Sequence, residues 1–333
     1  MNTHKEVAAD GFVIVGEEIC QKIISRADAF GAVEAVFAAM ARGDAYNFPV
    51  VREAIGHADA LYGFKGGFDR SGLSLGLKAG GYWPGNMDKG LTNHQSTVFL
   101  FDPDTGRLSA LVGGNYLTAI RTAASSSVSI AHLARKDAKV LGMVGAGHQS
   151  AFQLRAAVEQ RAFEKVVAWN PHPDMLPRLG AVAKELGLEF EAVTQEELGA
   201  QADVIITITS AFEPLMMADW VKPGTHIACM GTDTKGKQGV DPALFTRATV
   251  FADEIAQSIT IGEAQHAVGK GLIAEGDITP IGAVINGTHA GRSNAEEITL
   301  FDGTGVGLQD LAVASVAAKL AREQGLVTPI TLG

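Results

Sequence analysis

At 333 residues, 47% of them hydrophobic and 19% charged, the chain carries enough apolar material for more than one core, and two domains are expected. A net charge of −10 argues against a nucleic-acid or anionic-membrane surface, while leaving room for a basic pocket that takes a small anion. Cys20 and Cys229 are too few for a disulfide framework or a zinc site and read as reduced core thiols. No apolar run reaches the length of a membrane span and the N-terminus has no secretory pattern, so a cytoplasmic protein without nucleic-acid or membrane partners is expected.

In chain order, a short apolar strand over 12–15 precedes a helical stretch over 19–40, where Ala29, Val33, Val36, Phe37 and Met40 fall on one face. Strands and turns follow, with strands over 73–78, 97–101 and 108–112 and a turn at Asp102-Pro103-Asp104-Thr105-Gly106. A long helix over 115–133 is rich in alanine and serine, which permits close packing. Strands over 140–144, 166–169, 189–193, 204–207, 226–230 and 249–252 then alternate with helices near 149–161, 174–186 and 195–200. That alternation predicts a parallel sheet covered on both faces. A glycine-rich Phe301-Asp302-Gly303-Thr304-Gly305 leads into a last helix over 308–324. The fold class is therefore α/β: a Rossmann-type, doubly wound parallel-sheet domain over 121–309, and an α+β domain formed by 1–120 with 310–333.

The most telling segment is Gly145-Ala146-Gly147-His148-Gln149-Ser150, set between a strand and a helix. It departs by one small side chain from the G-x-G-x-x-G/A dinucleotide fingerprint. Gly145 permits a tight turn, Gly147 lets the backbone approach a pyrophosphate, and small Ser150 lets the helix sit close to the strand. The helix N-terminus offers unpaired N–H groups and a partial positive charge to the phosphates. Glycine also serves turns for purely steric reasons, and the strand–turn–helix context is what favours the cofactor reading. The second strand ends at Trp169-Asn170-Pro171-His172, with no Arg or Lys between Asn170 and Leu176. Asn170 can bond ribose hydroxyls, but nothing there would neutralise a 2′-phosphate, so NAD is expected rather than NADP; Asn170-Pro171 also reads simply as a turn.

Three residues outside this loop could carry chemistry. Lys78, at the expected strand end before Ala79-Gly80-Gly81, could bind a carboxylate, or simply reach solvent. Arg121 sits in an otherwise uncharged helix, where it either pairs with a carboxylate of the protein or clamps one from a ligand. Asp233 follows an apolar strand, where parallel sheets bind their ligands, or it caps the next turn. The histidines show no metal-ligand spacing with acids or cysteines, and no metal is expected.

In this order the pieces resemble the ornithine cyclodeaminase/mu-crystallin family along nearly the whole chain. The resemblance rests on Leu117-Thr118-Ala119-Ile120-Arg121-Thr122-Ala123-Ala124-Ser125, the glycine loop, Thr209-Ser210 with Glu213-Pro214, Val221-Lys222-Pro223-Gly224-Thr225-His226, and Gly231-Thr232-Asp233 with Gly236-Lys237. It implies a homodimer formed through the N-terminal domain and last helix, bound NAD(P), and chemistry at a carbon bearing an amino or imino group. It further implies Arg52, Lys78 and Arg121 as holders of the α-carboxylate, Asp233 as the acidic catalytic residue with Lys78 beside it in the chemistry, and Thr209 and Ser210 beside the nicotinamide, with Gly231 also in the cofactor site. Ornithine-converting members place a carboxylate for the distal amine around residues 60–67, where this chain has Lys65 and no acid. A lysine suits a second carboxylate, so the expected activity is NAD(H)-dependent reduction of a dicarboxylic imino acid, iminosuccinate giving aspartate being the simplest case. Ornithine cyclisation, alanine dehydrogenation and mu-crystallin-like ligand binding are the alternatives.

Overall fold

The computed structural model describes residues 11–331. The N-terminal segment that bears on secretion lies outside them. The chain forms two compact units, one running up to Arg121 and resuming at Val306, the other spanning Thr122–Gly305. Residues 306–309 thus belong with the first unit, four residues earlier than the boundary expected at 310. Among the described residues no helix is long and apolar enough to cross a membrane.

The first unit is built on an eight-stranded sheet in the order Thr328–Thr331, Gly11–Val15, Leu108–Gly113, His94–Phe101, Ser74–Tyr82, Leu61–Asp69, Ala45–Asn47, with Val51–Ala54 also paired to Leu61–Asp69. Pairing is antiparallel except between Gly11–Val15 and Leu108–Gly113. The strand expected to stop at Lys78 continues through the glycines to Tyr82. Those glycines do not end it; they admit the neighbouring backbone, since a Cβ on Gly81 would collide with the carbonyl of Leu61. The helical stretch expected over 19–40 is two helices, Glu17–Ile23 and Arg26–Ala41. The break is a capping box: Ser25 Oγ accepts from Asp28 N at 3.1 Å and Asp28 Oδ2 accepts from Ser25 N at 3.0 Å.

The closing helix, Gly307–Glu323, packs on Leu61–Asp69 and Ser74–Tyr82 and against Arg26–Ala41. It lies unusually close to the sheet at its start. A Cβ on Gly307 would stand 2.7 Å from Gly66 N and 2.8 Å from Lys65 C, and one on Gly67 would stand 2.9 Å from Leu308 Cδ2. This seating explains why residues 306–309 join the first unit.

The second unit holds an eight-stranded, wholly parallel sheet in the order Glu189–Ala192, Lys165–Trp169, Val140–Val144, Val204–Thr207, His226–Cys229, Ile298–Asp302, Ala248–Ala252, Ile278–Pro280. The strand order reverses between Val140–Val144 and Val204–Thr207, which is the switch point where doubly wound sheets bind ligands. Two strands of this sheet escape sequence reading. Ile298–Asp302 inserts between His226–Cys229 and Ala248–Ala252, and its terminal Asp302 is fully buried. Burial pushes this carboxyl up to about 8, and Ser258 Oγ donates to it at 2.5 Å, so a neutral acid sits in a core strand. Ile278–Pro280 is a three-residue edge strand, too short for a periodic signal.

Replacing Gly307 with alanine should force the closing helix away from the sheet and destabilise the protein by about 1–3 kcal/mol. A urea-unfolding midpoint equal to that of the parent would show that the helix does not need this approach.

Candidate active site

In the first unit, strand register gathers the cations. Lys65 and Lys78 are direct partners across antiparallel strands, which puts their side chains on one face, and Arg52 is paired with Gly63, two residues before Lys65 on the strand. Lys78 therefore stands mid-strand and buried rather than at a strand end facing solvent. Its Nζ lies 2.8 Å from Asp310 Oδ2 and 3.3 Å from Thr118 Oγ1. Arg121 has a carboxylate partner within the protein: Nε donates to Asp310 Oδ1 at 2.9 Å and Nη1 to Gln309 Oε1 at 3.1 Å. Asp310 is fully buried, and its two cationic neighbours hold its carboxyl below the ordinary range despite that burial.

Burial lowers the Lys78 ammonium to about 8; Asp310 opposes the fall, while Arg121 and Lys65 add to it. His94, on the adjoining strand, is held down to about 3 by burial and by Lys78 and Arg121, which leaves a neutral imidazole beside the cations. Asp310 and Gln309 had no part in the sequence reading. The signal existed: Asp310 is the one charged residue from 303 to 318, the same anomaly that drew attention to Arg121.

In the second unit, the carboxyl ends of adjacent strands bring the expected cofactor residues together. Gly145 adopts φ +117°, and a Cβ there would stand 2.7 Å from Ile208 O and 3.0 Å from Thr209 Cγ2. A Cβ on Gly231 would collide with the Thr209 carbonyl, so Gly145, Thr209 and Gly231 form one tight group with Ser210 next in the chain. Helix Ser150–Ala157 opens directly after the turn, with Ser150 Oγ donating to Gly147 O at 2.7 Å. Asn170 is buried and braces the turn, its Oδ1 accepting from Ala146 N at 2.9 Å and its Nδ2 donating to His172 O at 2.8 Å. His148 is exposed and its ring lies 5.6 Å from that of Phe152.

Two observations test whether these residues suit a dinucleotide. A Cβ on Gly147 would meet nothing within 4 Å, so its face of the turn is open space at the first turn of a helix. The buried side-chain Oε1 of Gln149 has no hydrogen-bond partner among the described residues. Open backbone and an orphaned acceptor together fit a pyrophosphate and its attached sugar.

Asp233 follows His226–Cys229 in a loop that is firmly held. Lys237 Nζ lies 2.8 Å from Asp233 Oδ1, and Thr234 Oγ1 donates to the same oxygen at 3.2 Å. Buried Glu263 ties the loop down, accepting from Thr232 Oγ1 at 2.5 Å and Gly239 N at 2.8 Å. Lys237 and Glu263 escaped the sequence reading, although Lys237 stands four residues beyond Asp233 within the motif that was noticed. Among the described residues no three metal-binding side chains converge on a common point.

A basic cluster on an antiparallel sheet and a glycine turn at a Rossmann switch point define the class, and the chain belongs to the ornithine cyclodeaminase/mu-crystallin family, whose pattern matches residues 12–325. It is 63% identical over 320 residues to iminosuccinate reductase of Paracoccus denitrificans (strain Pd 1222), covering 96% of this chain and 100% of that one. Alanine dehydrogenase of Archaeoglobus fulgidus is 34% identical over 323 residues, 96% of this chain and 98% of that one. The crystal structure of the Paracoccus reductase in complex with NAD+ superposes with a TM-score of 0.93 over 97% of this chain and 100% of that one. An archaeal alanine dehydrogenase dimer with bound NAD gives 0.91 at 32% identity, over 97% of this chain and 100% of that one.

The two loop glycines should separate by experiment. Gly147→Ala should keep the parent's melting temperature yet weaken NADH binding at least about tenfold, because the methyl enters ligand space. Gly145→Ala should lower the melting temperature outright. Fluorescence titration with NADH and thermal denaturation read the two effects, and undiminished NADH affinity in Gly147→Ala would remove the turn from the cofactor site.

Proposed function

We propose that this chain is an NAD(H)-dependent imino acid reductase that converts iminosuccinate to aspartate. What carries the reading is the likeness to the Paracoccus iminosuccinate reductase, 63% identical over all of that protein. The charge pattern supports it independently. Lys65 stands directly across from Lys78, where a diamine substrate would demand an acid and a dicarboxylate welcomes a cation.

On this reading the first unit binds the anion. Arg121, Lys78 and Arg52 hold the α-carboxylate and Lys65 the second carboxylate, with Lys78 also taking part in the chemistry. The second unit holds NAD(H) through Gly145, Ala146, Gly147, His148, Gln149 and Ser150, with Thr209, Ser210 and Gly231 beside the nicotinamide. Asn170 braces the turn and directs its remaining hydrogen-bonding capacity to the adenosine ribose. Bound NADH supplies a hydride. The imine carbon gains that hydride as a new C–H bond, the C=N π pair becomes the nitrogen lone pair, and a proton from solvent completes the ammonium group of aspartate. Asp233 anchors the cationic iminium through a charge-assisted hydrogen bond, and its ion pair with Lys237 favours the ionised form that this role needs. Holding carbon and hydride donor in line is worth several kcal/mol by orientation alone.

NADH oxidation that requires both ammonia and oxaloacetate, which condense to iminosuccinate, is the expected result with purified protein. Asp233→Asn should lower turnover by about 100-fold or more while the NADH dissociation constant stays within about twofold. A preference for pyruvate with ammonia would reassign the chain to alanine dehydrogenation. Ammonia release from ornithine without net NADH change would reassign it to cyclodeamination.

The reading includes a homodimer and, with both buried thiols free, a cytoplasmic location. Tyr62 and Phe64 alternate with Lys65 on the opposite sheet face and are 39% and 43% exposed, with exposed Val51 paired to Phe64. Such an apolar sheet face suits a second copy of the chain. Light scattering should give twice the 34.8 kDa chain mass, and Phe64→Glu should shift the mass toward the monomer. A monomeric parent protein would refute the assignment.

A further inference from the structure

The carboxylate of Asp310 touches neither end of the chemistry assigned above, yet it holds both of the buried cations assigned to the substrate carboxylate. It comes from the first turn of the closing helix, whose seat is fixed by Gly307 against Gly66 and Leu308 against Gly67. Its two oxygens divide their work, Oδ2 to Lys78 Nζ at 2.8 Å and Oδ1 to Arg121 Nε at 2.9 Å. Gln309, its neighbour, takes Arg121 Nη1 at 3.1 Å. Nε and Nη1 of the guanidinium are thereby fixed by the closing helix. Lys78 likewise is held by its ion pair with Asp310 and donates to Thr118 Oγ1 at 3.3 Å.

We propose that Asp310 is the positioning residue of the anion site: it keeps Lys78 charged and aims Lys78 and Arg121 at a single carboxylate. The proposal rests on the reading that those two residues bind substrate. The electrostatics around Lys78 show why such a residue is needed. Facing it are Arg121 from the long helix Gly114–Leu133, Lys65 from the adjoining strand, and Asp310 from the closing helix. His94 and Arg52 complete the cluster, His94 as a neutral imidazole. Asp310 is the carboxylate in this set; the other charged members repel a proton from Lys78, and burial does the same. With Asp310 in place the ammonium titrates at about 8, so it is largely charged at neutral pH. Without Asp310, burial and the neighbouring cations would act on Lys78 unopposed and it would lose its proton at a lower pH, so the site would lose a cation without losing the lysine.

The test reads anion binding apart from turnover, using succinate as a dicarboxylate that cannot be reduced and the competitive inhibition constant as the readout, from about pH 6 to about pH 10. In the parent protein the constant should rise as pH passes about 8, where Lys78 loses its proton. In Asp310→Asn the rise should begin at least about one pH unit lower, with the two proteins converging at the acid end to within about tenfold. Asp310→Glu should restore part of the shift. A uniform weakening of Asp310→Asn at every pH, with an unmoved midpoint, would mean a merely structural role and overturn the proposal.

If Asp310→Asn does not fold, Lys78→Arg decides. A guanidinium does not titrate in this range, so the rise near pH 8 should vanish, and its persistence would also overturn the proposal. A parent protein that ignores succinate but binds propionate would refute the dicarboxylate reading while leaving the Asp310 test to run with propionate. Binding of neither anion would overturn both.

Discussion

A lysine and an arginine buried side by side repel each other and both resist leaving water, and the first unit accommodates them through one fully buried carboxylate. That carboxylate belongs to a helix more than 180 residues further along the chain than Arg121, as the 189-residue separation of the Arg121–Asp310 bond records. The unit is therefore incomplete until the chain has traversed the second unit and returned. Glycines at 66, 67 and 307 make the return possible, because the helix must come within backbone contact of the strand to deliver Asp310 to Lys78. Sheet register, helix seat and charge pairing are consequences of one another here, and altering any of them disturbs the others.

The second unit solves a different problem, which is to leave polar backbone available without losing a fixed geometry. The turn after Val140–Val144 is braced from behind by Asn170, whose amide bonds Ala146 N and His172 O, while the Gly147 side faces open space. The loop carrying Asp233 is held by the same device: Glu263 accepts backbone and hydroxyl donors around 232–240 from within the core. Burial raises the Glu263 carboxyl, and the three donors that hold it pull the other way. In both places a buried polar side chain is spent on shape so that exposed groups are preorganised for a ligand.

Much of this was legible in the sequence where physics is local. The glycine turn, flanking strands and small Ser150 lie within a dozen residues, and the strand spacing from 140 to 252 discloses a parallel sheet. Long-range pairing left no local trace. Ile298–Asp302 joins the sheet out of order, and its charged end disguises a buried strand. The glycines at 80 and 81 looked like punctuation because glycine is ambiguous between turn and close approach, and only the neighbouring strand decides. Asn170 shows a subtler limit, since a residue type suited to ribose is also suited to bracing a turn, and bracing is the part its amide shows here. Asp310 was visible as the one charge in the apolar stretch from 303 to 318, but its partners were not.

Placing Lys65 opposite Lys78 bears on substrate choice as well as on charge. On the proposed reading, two cations at adjacent positions on one sheet face gain stability when an anionic substrate enters. A monoanion relieves one of them, whereas a dianion can meet both. An ammonium group at the far end of a substrate would instead add a third positive charge to a pair already in conflict, and Asp310 is not at hand to offset it, being committed to Lys78 and Arg121. On the proposed reading, discrimination against diamines needs no steric barrier at the distal position. On that reading it follows from the like charges of Lys65 and Lys78 standing directly opposite each other.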